Sequence, residues 1–489
     1  MFSDGLQALA REVIEGCGRR GWMVATAESC TGGLIAACLT EIAGSSVAVD
    51  RGFVTYHNDA KREVLGVEQS LLDTVGAVSE EVARAMAEGA LKASQATVAV
   101  SCTGVAGPGG GSADKPVGLV HMAVARRGHA TRHKRMTYGD IGRHAVRVKT
   151  VRDALGMAET MKAVLIDEPG GPEGLRVDEV PMPEPGPDEV RIKVAYASMN
   201  PMDVFARQGK VTWLPIKWPF IPGIEHAGVI DKVGEGVDPA MVGKRYHSRN
   251  MFGGNAEYSI APLSAAFPMP DGLDWKVGTC YGGMTCTSYH ALHTAARIRE
   301  SDWCLFHSAA GPIGIMLTQI AKDAGAKVIG LCSGAKFDYA KPYGADHLID
   351  YTTEDWVAAV KEITQGQGAD IIVDGNQGPD AVKNYEAIAP GGHCIYIGAT
   401  AGSPAPDIPV STLIFKSAFV GGFNLPLLEA RGGRDSEEVL QKIIDGTWKV
   451  PISEEVPLDE VPALHEKFAA RQVKGRAVIR VGGELNWTP

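Results

Sequence analysis

The sequence predicts an α/β protein built from two unlike parts: a three-layer α/β domain, then a barrel-like β unit joined to a doubly wound parallel sheet. Three observations predict it. Strand and helix patterns alternate over residues 1–158 and again over 285–424. Residues 161–284 are instead strand-rich and punctuated by Pro181, Pro183, Pro185 and Pro187. A chain of 489 residues also has room for two to four domains.

The joint between the parts falls near residue 160. A helix from Arg143 to Leu155 leads through Gly156-Met157-Ala158-Glu159-Thr160 into a fresh apolar strand, Met161 to Ile166, with no Pro/Gly/Ser linker. Charge divides there too. Residues 1–160 hold 18 Lys+Arg against 17 Asp+Glu, which leaves 30 against 41 for the rest. The net charge of -10 lacks the basic footprint that a nucleic-acid partner needs. No run approaches the ~18 apolar residues of a membrane span. The N-terminal stretch has no apolar signal-peptide core, and nine cysteines without a CxxC pair suggest free thiols in a reducing compartment. A cytoplasmic enzyme acting on small molecules is expected, with no membrane or nucleic-acid partner.

In order, Leu6, Leu9, Ala10, Val13, Ile14 and Cys17 form one helical stripe, capped by Ser3. Strands are expected at residues 23–27, 51–56, 97–101, 117–125 and 131–138, and helices at 31–40 and at 79–94, the latter capped by Ser79. The basic run Arg132-His133-Lys134-Arg135 reads as a solvated face. In the second part a strand at 301–307 is followed by a helix at 315–324 and a strand at 327–332. The tail, 425–489, returns to short strands and folds back onto the barrel-like unit of 161–284.

Two constellations carry chemistry. In the first, Ser29 and Thr31 lie where a strand passes into a helix, beside N–H groups that a helix start leaves unpaired. Gly44-Ser45-Ser46 precedes the strand ending at Tyr56, and Lys61 follows one helical turn on. Thr103 and Gly104 open a glycine-rich loop, residues 104–111, whose amides can face an anion. A serine beside a lysine of lowered pKa is a nucleophile–base pair. The same residues also read as caps and loops.

The segments AESCTGG, AGSSVAVDRGFVTYHNDAK, GAVSEEVARAMAEGAL and TGVAGPGGGSADKPVG resemble the nicotinamide-nucleotide amidase family of the CinA C-terminal type, over about residues 5–157. The resemblance implies deamidation of nicotinamide mononucleotide to nicotinic acid mononucleotide and ammonia. It implies Ser46 as nucleophile, Lys61 as base and Tyr56 as assistant, with Ser29, Thr31, Thr103, Gly104 and Arg143 near the amide and phosphate. Ser29 and Ser45 remain the alternative nucleophiles.

The second constellation is the turn Ser308-Ala309-Ala310-Gly311-Pro312-Ile313-Gly314 between strand and helix, a dinucleotide fingerprint with alanine for the first glycine. The next strand ends in Ser333-Gly334-Ala335-Lys336, without the carboxylate that would hold NAD ribose hydroxyls. A hydroxyl and a cation suit a 2′-phosphate, so NADPH is the expected cofactor. Later strand ends carry Asn376 and Gly398.

The second part, nearly all of 161–483, resembles the medium-chain dehydrogenase/reductases, in segments such as PFIPGIEHAGVIDKVGEGV and LFHSAAGPIGIMLTQIAKDAGAKVIG. Its GroES-like and Rossmann domains are expected at 161–284 with 425–489, and at 285–424. The likeness is greatest to the zinc-independent quinone oxidoreductase branch. The zinc branch's first catalytic cysteine has no match in residues 198–203, and its ligand histidine is replaced by Ile224. His226 and Cys280 lie near ligand positions but out of register, and no metal is expected. The resemblance places Asn200, Asp203 and Arg207 at the nicotinamide or substrate end and Thr285 at the nicotinamide ribose. It places Ala310 to Gly314 at the pyrophosphate, and Ser333, Lys336 and Tyr351 at the adenosine phosphate. Trp213, Leu214, Ile216, Trp218 and Phe220 form either a wall over a flat acceptor or part of the core. A bifunctional enzyme is therefore expected, reducing quinones or enones with NADPH. The alternative is a 2-enoyl thioester reductase whose inactive amidase-like domain serves oligomerisation. A homo-oligomer is expected on either reading.

Overall fold

The computed structural model describes residues 2–211, 216–249, 252–398, 407–425, 427 and 436–483. Trp213, Leu214, Ala399 and Thr400 lie outside the described residues. The chain forms two compact units, one of Met1–Met161 with Glu179–Met182, the other of Lys162–Asp178 and Pro183–Pro489.

The first unit opens with α1 (Asp4–Arg20), whose stripe Leu6, Ala10, Val13, Ile14 and Cys17 is buried. It stops at Gly21, where φ of 65° lets the glycine amide return to the helix's last carbonyls. Ser3 holds the cap position without a side-chain hydrogen bond, whereas the Ser79 hydroxyl accepts the Val82 amide at 3.3 Å. Strands β1 (Val24–Glu28), β2 (Val49–Val54), β3 (Val98–Gly104), β4 (Leu119–Arg126) and β5 (Arg132–Thr137) lie in the order β2-β1-β3-β4-β5. β1 runs parallel to both neighbours, and β4 and β5 are antiparallel additions. One face is covered by α1, α2 (Leu34–Thr40) and α6 (Arg143–Ala158), through Ile14, Leu39, Val151 and Leu155. α3 (Asn58–Leu65), α4 (Gln69–Val75) and α5 (Glu80–Lys92) cover the other, through Leu65, Leu72, Val82 and Met86. This is a three-layer α/β domain.

The second unit contains a largely antiparallel sheet of seven strands. β8 (Glu189–Ser198), β9 (Glu225–Val233), β10 (Arg245–Arg249), β11 (Tyr258–Pro262) and β12 (Ala266–Pro268) are joined by β19 (Ile452–Pro457) and β20 (Arg476–Arg480) from the tail. β20 pairs with β8, so the tail returns to the sheet where the unit's chain began. Between them lies a six-stranded, all-parallel sheet: β13 (Trp303–Phe306), β14 (Lys327–Cys332), β15 (His347–Asp350), β16 (Ala369–Asp374), β17 (Ile388–Tyr396) and β18 (Phe419–Gly422), ordered β15-β14-β13-β16-β17-β18. Both faces are covered, as a parallel sheet requires. All nine cysteines are free and buried. Among the described residues no helix is long and apolar enough to cross a membrane.

Candidate active sites

In the first unit the chain leaves β1 for β2 on one side, while β3 lies on the other. The C-terminal end of β1 is therefore a topological switch point, where open α/β sheets keep their ligand crevices. Ser29 follows β1, Tyr56 follows β2, and Thr103 and Gly104 end β3, so all four converge on this edge. The Ser29 amide donates to the Cys102 carbonyl at 3.0 Å, which fixes its backbone against β3.

Lys61, on α3, is 1% exposed, and its ammonium donates to the carbonyls of Thr55 at 2.9 Å and Tyr56 at 3.3 Å. Burial holds its pKa below the ordinary lysine value, and the neighbouring Cys30 and Cys102 thiols oppose that shift. A buried lysine of lowered pKa is the form in which an amine serves as a base. Arg143, at the start of α6, donates to the Tyr56 phenol and the Gly107 carbonyl, each at 2.9 Å. The Thr103 hydroxyl donates to the Ala77 carbonyl at 2.8 Å.

Two expectations need correction here. Ser46 does not join the site. It is exposed on a turn before β2, whereas Tyr56 and Lys61 follow β2. The six residues of the strand separate them, about 20 Å at ~3.3 Å per residue. Of the serines considered, only Ser29 shares an edge with Lys61. The second correction concerns the start of α2, which begins at Leu34 rather than Thr31. Several of the amides there are already taken. Glu28, fully buried, accepts from Gly33 N at 3.0 Å, Ile35 N at 3.0 Å and Ala36 N at 2.8 Å. The Thr31 and Thr26 hydroxyls add bonds at 2.6 and 3.1 Å. A carboxylate of the protein itself occupies the helix N-terminus. Glu28→Gln replaces an acceptor with an amide donor among five converging donors. The exchange protection of the Gly33, Ile35 and Ala36 amides should fall about 30-fold or more, equivalent to ~2 kcal/mol. Unchanged protection by hydrogen-exchange NMR would remove Glu28 from this role.

In the second unit the glycine turn follows β13, and α9 (Pro312–Asp323) begins directly after Gly311, with Pro312 at its first position. A Cβ on Gly314 would lie 2.4 Å from the Ser308 carbonyl oxygen, so only glycine allows the turn to press on the helix. Ala310 is buried, and Ile313 packs beside Gly314 against the sheet's core. The switch point of this sheet lies between β13 and β16, and the Ser308 hydroxyl crosses it to the Asn376 side-chain carbonyl at 3.1 Å. Gly398 follows the next strand, β17, against the Gly375 carbonyl. The turn thus fits a pyrophosphate approached by main-chain amides.

At the end of β14, Ser333 precedes a short helical turn, Gly334–Lys336, and the Lys336 ammonium donates to the Arg471 carbonyl at 3.3 Å. Burial lowers its pKa, and the neighbouring cations Lys474 and Arg471 push the same way. Three cations therefore crowd this strand end, two of them from a loop 135 or more residues later that the sequence reading did not connect to it. Such a cluster makes this strand end strongly positive. Tyr351 is exposed beside it, after β15. Thr285 is buried within α8 (Trp275–His290), and its hydroxyl has no partner among the described residues.

The expected nicotinamide end divides. Asn200 is half-buried at the start of α7 (Pro201–Arg207). Asp203 and Arg207 do not line open space, which corrects their expected role. Asp203 is fully buried and accepts the amides of Gly223 at 2.8 Å, Ile224 at 3.0 Å and Asn200 at 2.9 Å; burial pushes its pKa up to about 7. Arg207 is buried and donates to the Gly170 carbonyl. Asp203 thus ties the loop at 223–224 to the start of α7, and Arg207 holds the loop at 170. Phe220 is buried with the core residue Val164, and Phe252, Trp218 and Ile216 pack against the same cluster.

Residues 6–162 match the CinA C-terminal domain, 186–271 the alcohol dehydrogenase GroES-like domain, and 312–443 the zinc-binding dehydrogenase domain. The chain is 52% identical over 150 residues to the nicotinamide-nucleotide amidohydrolase PncC of Enterobacter agglomerans, which covers 30% of this chain and 90% of that protein. It is 29% identical over 328 residues to the 2-haloacrylate reductase of a Burkholderia species, covering 65% of this chain and 98% of that protein. The structure of Escherichia coli quinone oxidoreductase complexed with NADPH matches with a TM-score of 0.60 and 25% identity, over 65% of this chain and 99% of that one. The domain matches and the relatives together define a two-part enzyme, an amidohydrolase domain joined to an oxidoreductase that uses a nicotinamide cofactor. The chain belongs to the CinA C-terminal domain family through its PncC-like first unit, and its second unit is a medium-chain dehydrogenase/reductase of the quinone oxidoreductase type.

The zinc named for one matched domain does not fit the residues present. Near the expected ligand positions stand Ser198 and Ile224. Glu225 is ion-paired to Arg476 at 2.7 Å, and among the described residues no group of three or more His, Cys, Asp or Glu side chains could hold a metal ion.

Proposed function

We propose that the first unit hydrolyses nicotinamide mononucleotide to nicotinic acid mononucleotide and ammonia, and that the second transfers hydride from NADPH to quinones or activated enones. The amidase reading is carried by the buried Lys61 at the same switch point as Ser29. In this scheme the neutral Lys61 amine takes the Ser29 proton as the hydroxyl oxygen attacks the amide carbon, then passes it to the departing ammonia. Water attacks the resulting acyl-serine by the same proton path and releases the acid. Because Glu28 fills the start of α2, donors for the developing oxyanion come from the glycine loop after β3, and Arg143 with Tyr56 receives the nucleotide.

The reductase reading rests on the glycine turn and the three-cation strand end, which suit a dinucleotide carrying an extra phosphate. NADPH supplies the hydride when bound. The chain's own part is to hold the dinucleotide by backbone and cations, to fix Asn200 at the reacting end, and to keep the acceptor dry and aligned. The name of the 2-haloacrylate reductase relative describes an activated alkene, which supports an electron-poor acceptor.

One experiment tests both halves. The purified chain should release ammonia from nicotinamide mononucleotide and oxidise NADPH with 1,4-naphthoquinone. No ammonia from folded protein overturns the first half. Reduction of crotonyl-CoA in preference to the quinone would reassign the second half to enoyl thioesters.

A further inference from the structure

At the switch point of the parallel sheet, five side chains close a ring of hydrogen bonds that the scheme above leaves unused. His307 follows β13, and its Nε2 lies 2.7 Å from Asn384 Oδ1. Asn384, fully buried at the start of a short helix, Asn384–Ala387, donates from Nδ2 to Asp374 Oδ2 at 2.9 Å. Asp374 ends β16 and is 1% exposed, and its Oδ1 accepts the amides of Asn376 at 2.7 Å and Gln377 at 3.1 Å. Asn376 Oδ1 accepts the Ser308 hydroxyl at 3.1 Å, and the peptide bond between Ser308 and His307 completes the circuit.

The donor order in the ring is determined. A carboxylate only accepts, so Asn384 turns its Nδ2 to Asp374 and its Oδ1 to His307, and His307 carries a proton on Nε2. The ring also pins two non-glycine residues with left-handed backbones, Ser308 at φ 53° and Gln377 at φ 54°, one on each lip of the crevice. Such conformations persist where neighbouring contacts over-determine them.

We propose that His307 and Asn384 are positioning residues for the nicotinamide dinucleotide, acting through this ring to hold the glycine turn after β13 and the Asn376 loop after β16 at the separation that the dinucleotide bridges. Dinucleotides lie across a switch point of this kind, and lips that are already in place spare the ordering cost of binding. The ring sits between β13 and β16, not at the end of β14, so it acts on the part that NADPH and NADH share.

The binding part of the test rests on the reductase reading; the spectroscopic part does not. In calorimetry on the full chain, Asn384→Leu, which keeps the shape of asparagine and removes its bonds, should weaken NADPH and NADH alike by about tenfold. In NADPH oxidation by 1,4-naphthoquinone it should raise KM for NADPH and leave kcat within about threefold. His307→Leu should do the same, whereas His307→Gln, whose amide nitrogen can stand where Nε2 stood, should stay within about threefold of the unsubstituted chain. Any single break opens the ring, so adding Ser308→Ala to Asn384→Leu should cost less than the product of the two single losses. Should Asn384→Leu fail to fold, His307→Leu takes its place in the double variant. Equal losses in His307→Gln and His307→Leu, multiplicative losses in the double variant, or a fall in kcat at unchanged KM would overturn the positioning role. In nitrogen NMR of the imidazoles at mildly alkaline pH, the signals that His307→Gln removes should be those of an Nε2–H tautomer. An Nδ1–H tautomer would overturn the ring itself. If the unsubstituted chain binds neither dinucleotide, the reductase reading fails, and the imidazole spectrum still decides whether the ring exists.

Discussion

Ser29→Ala should lower ammonia release from nicotinamide mononucleotide by roughly 10³-fold, whereas Ser46→Ala should stay within about threefold of the unsubstituted chain. The contrast follows from strand direction: Ser29 and Lys61 share the C-terminal edge of the parallel strands, and Ser46 lies at the other end. Lys61→Ala should cost about 10²–10⁴-fold, the usual weight of a general base. The sign of the pH dependence is fixed by burial. A lowered lysine pKa means that the neutral amine predominates from a lower pH. Activity should therefore rise with pH and level off below the ~10.4 of a free lysine, and Lys61→Arg, which stays charged, should remain inactive. Measured by coupled ammonia assay on full-length variants, a Ser46→Ala loss equal to that of Ser29→Ala would return the nucleophile to Ser46. The site would then need Ser46 from a second chain, because β2 separates it from Lys61 within one chain.

Lys336→Glu should weaken NADPH binding by about 30-fold or more while leaving NADH within about threefold. Charge-assisted bonds to phosphate contribute ~1.5–3 kcal/mol, and the substitution replaces attraction with repulsion. Arg471→Ala and Lys474→Ala should act in the same direction with smaller effects, because each leaves two cations in place. Calorimetry with both cofactors checks this. Equal weakening of NADH and NADPH would remove the 2′-phosphate from this strand end.

The sequence showed those features that depend on neighbours along the chain. The glycine turn at 308–314 was readable because strand, glycines and helix follow one another, and Gly314 is needed by contacts six residues away or fewer. The amphipathic stripe of α1 was readable for the same reason. Which end of a strand a loop occupies was not. The turns before and after β2 are both short and polar, and only the parallel pairing with β1 separates Ser46 from Lys61. The role of Glu28 was also hidden. A carboxylate at a strand end reads as a candidate for solvent or ligand, and its five donors are revealed only when the turn folds back. Asp203 and Arg207 look like ligand contacts in a polar motif, yet both turn inward to backbone groups of loops at 170 and 223–224. Arg471, Lys474 and Arg476 meet their partners across long stretches of chain, where no local pattern reaches.

The burial of every thiol turns the cysteines into reporters of unfolding. Four of them, Cys17, Cys30, Cys38 and Cys102, belong to the first unit, and the other five, Cys280 to Cys394, to the second. A maleimide added along a urea gradient would modify each set only when its own half opens, since the reactive thiolate needs solvent. Plateaus at four or at five adducts in the intact-mass spectrum would then name the half that melts first, with no engineered label.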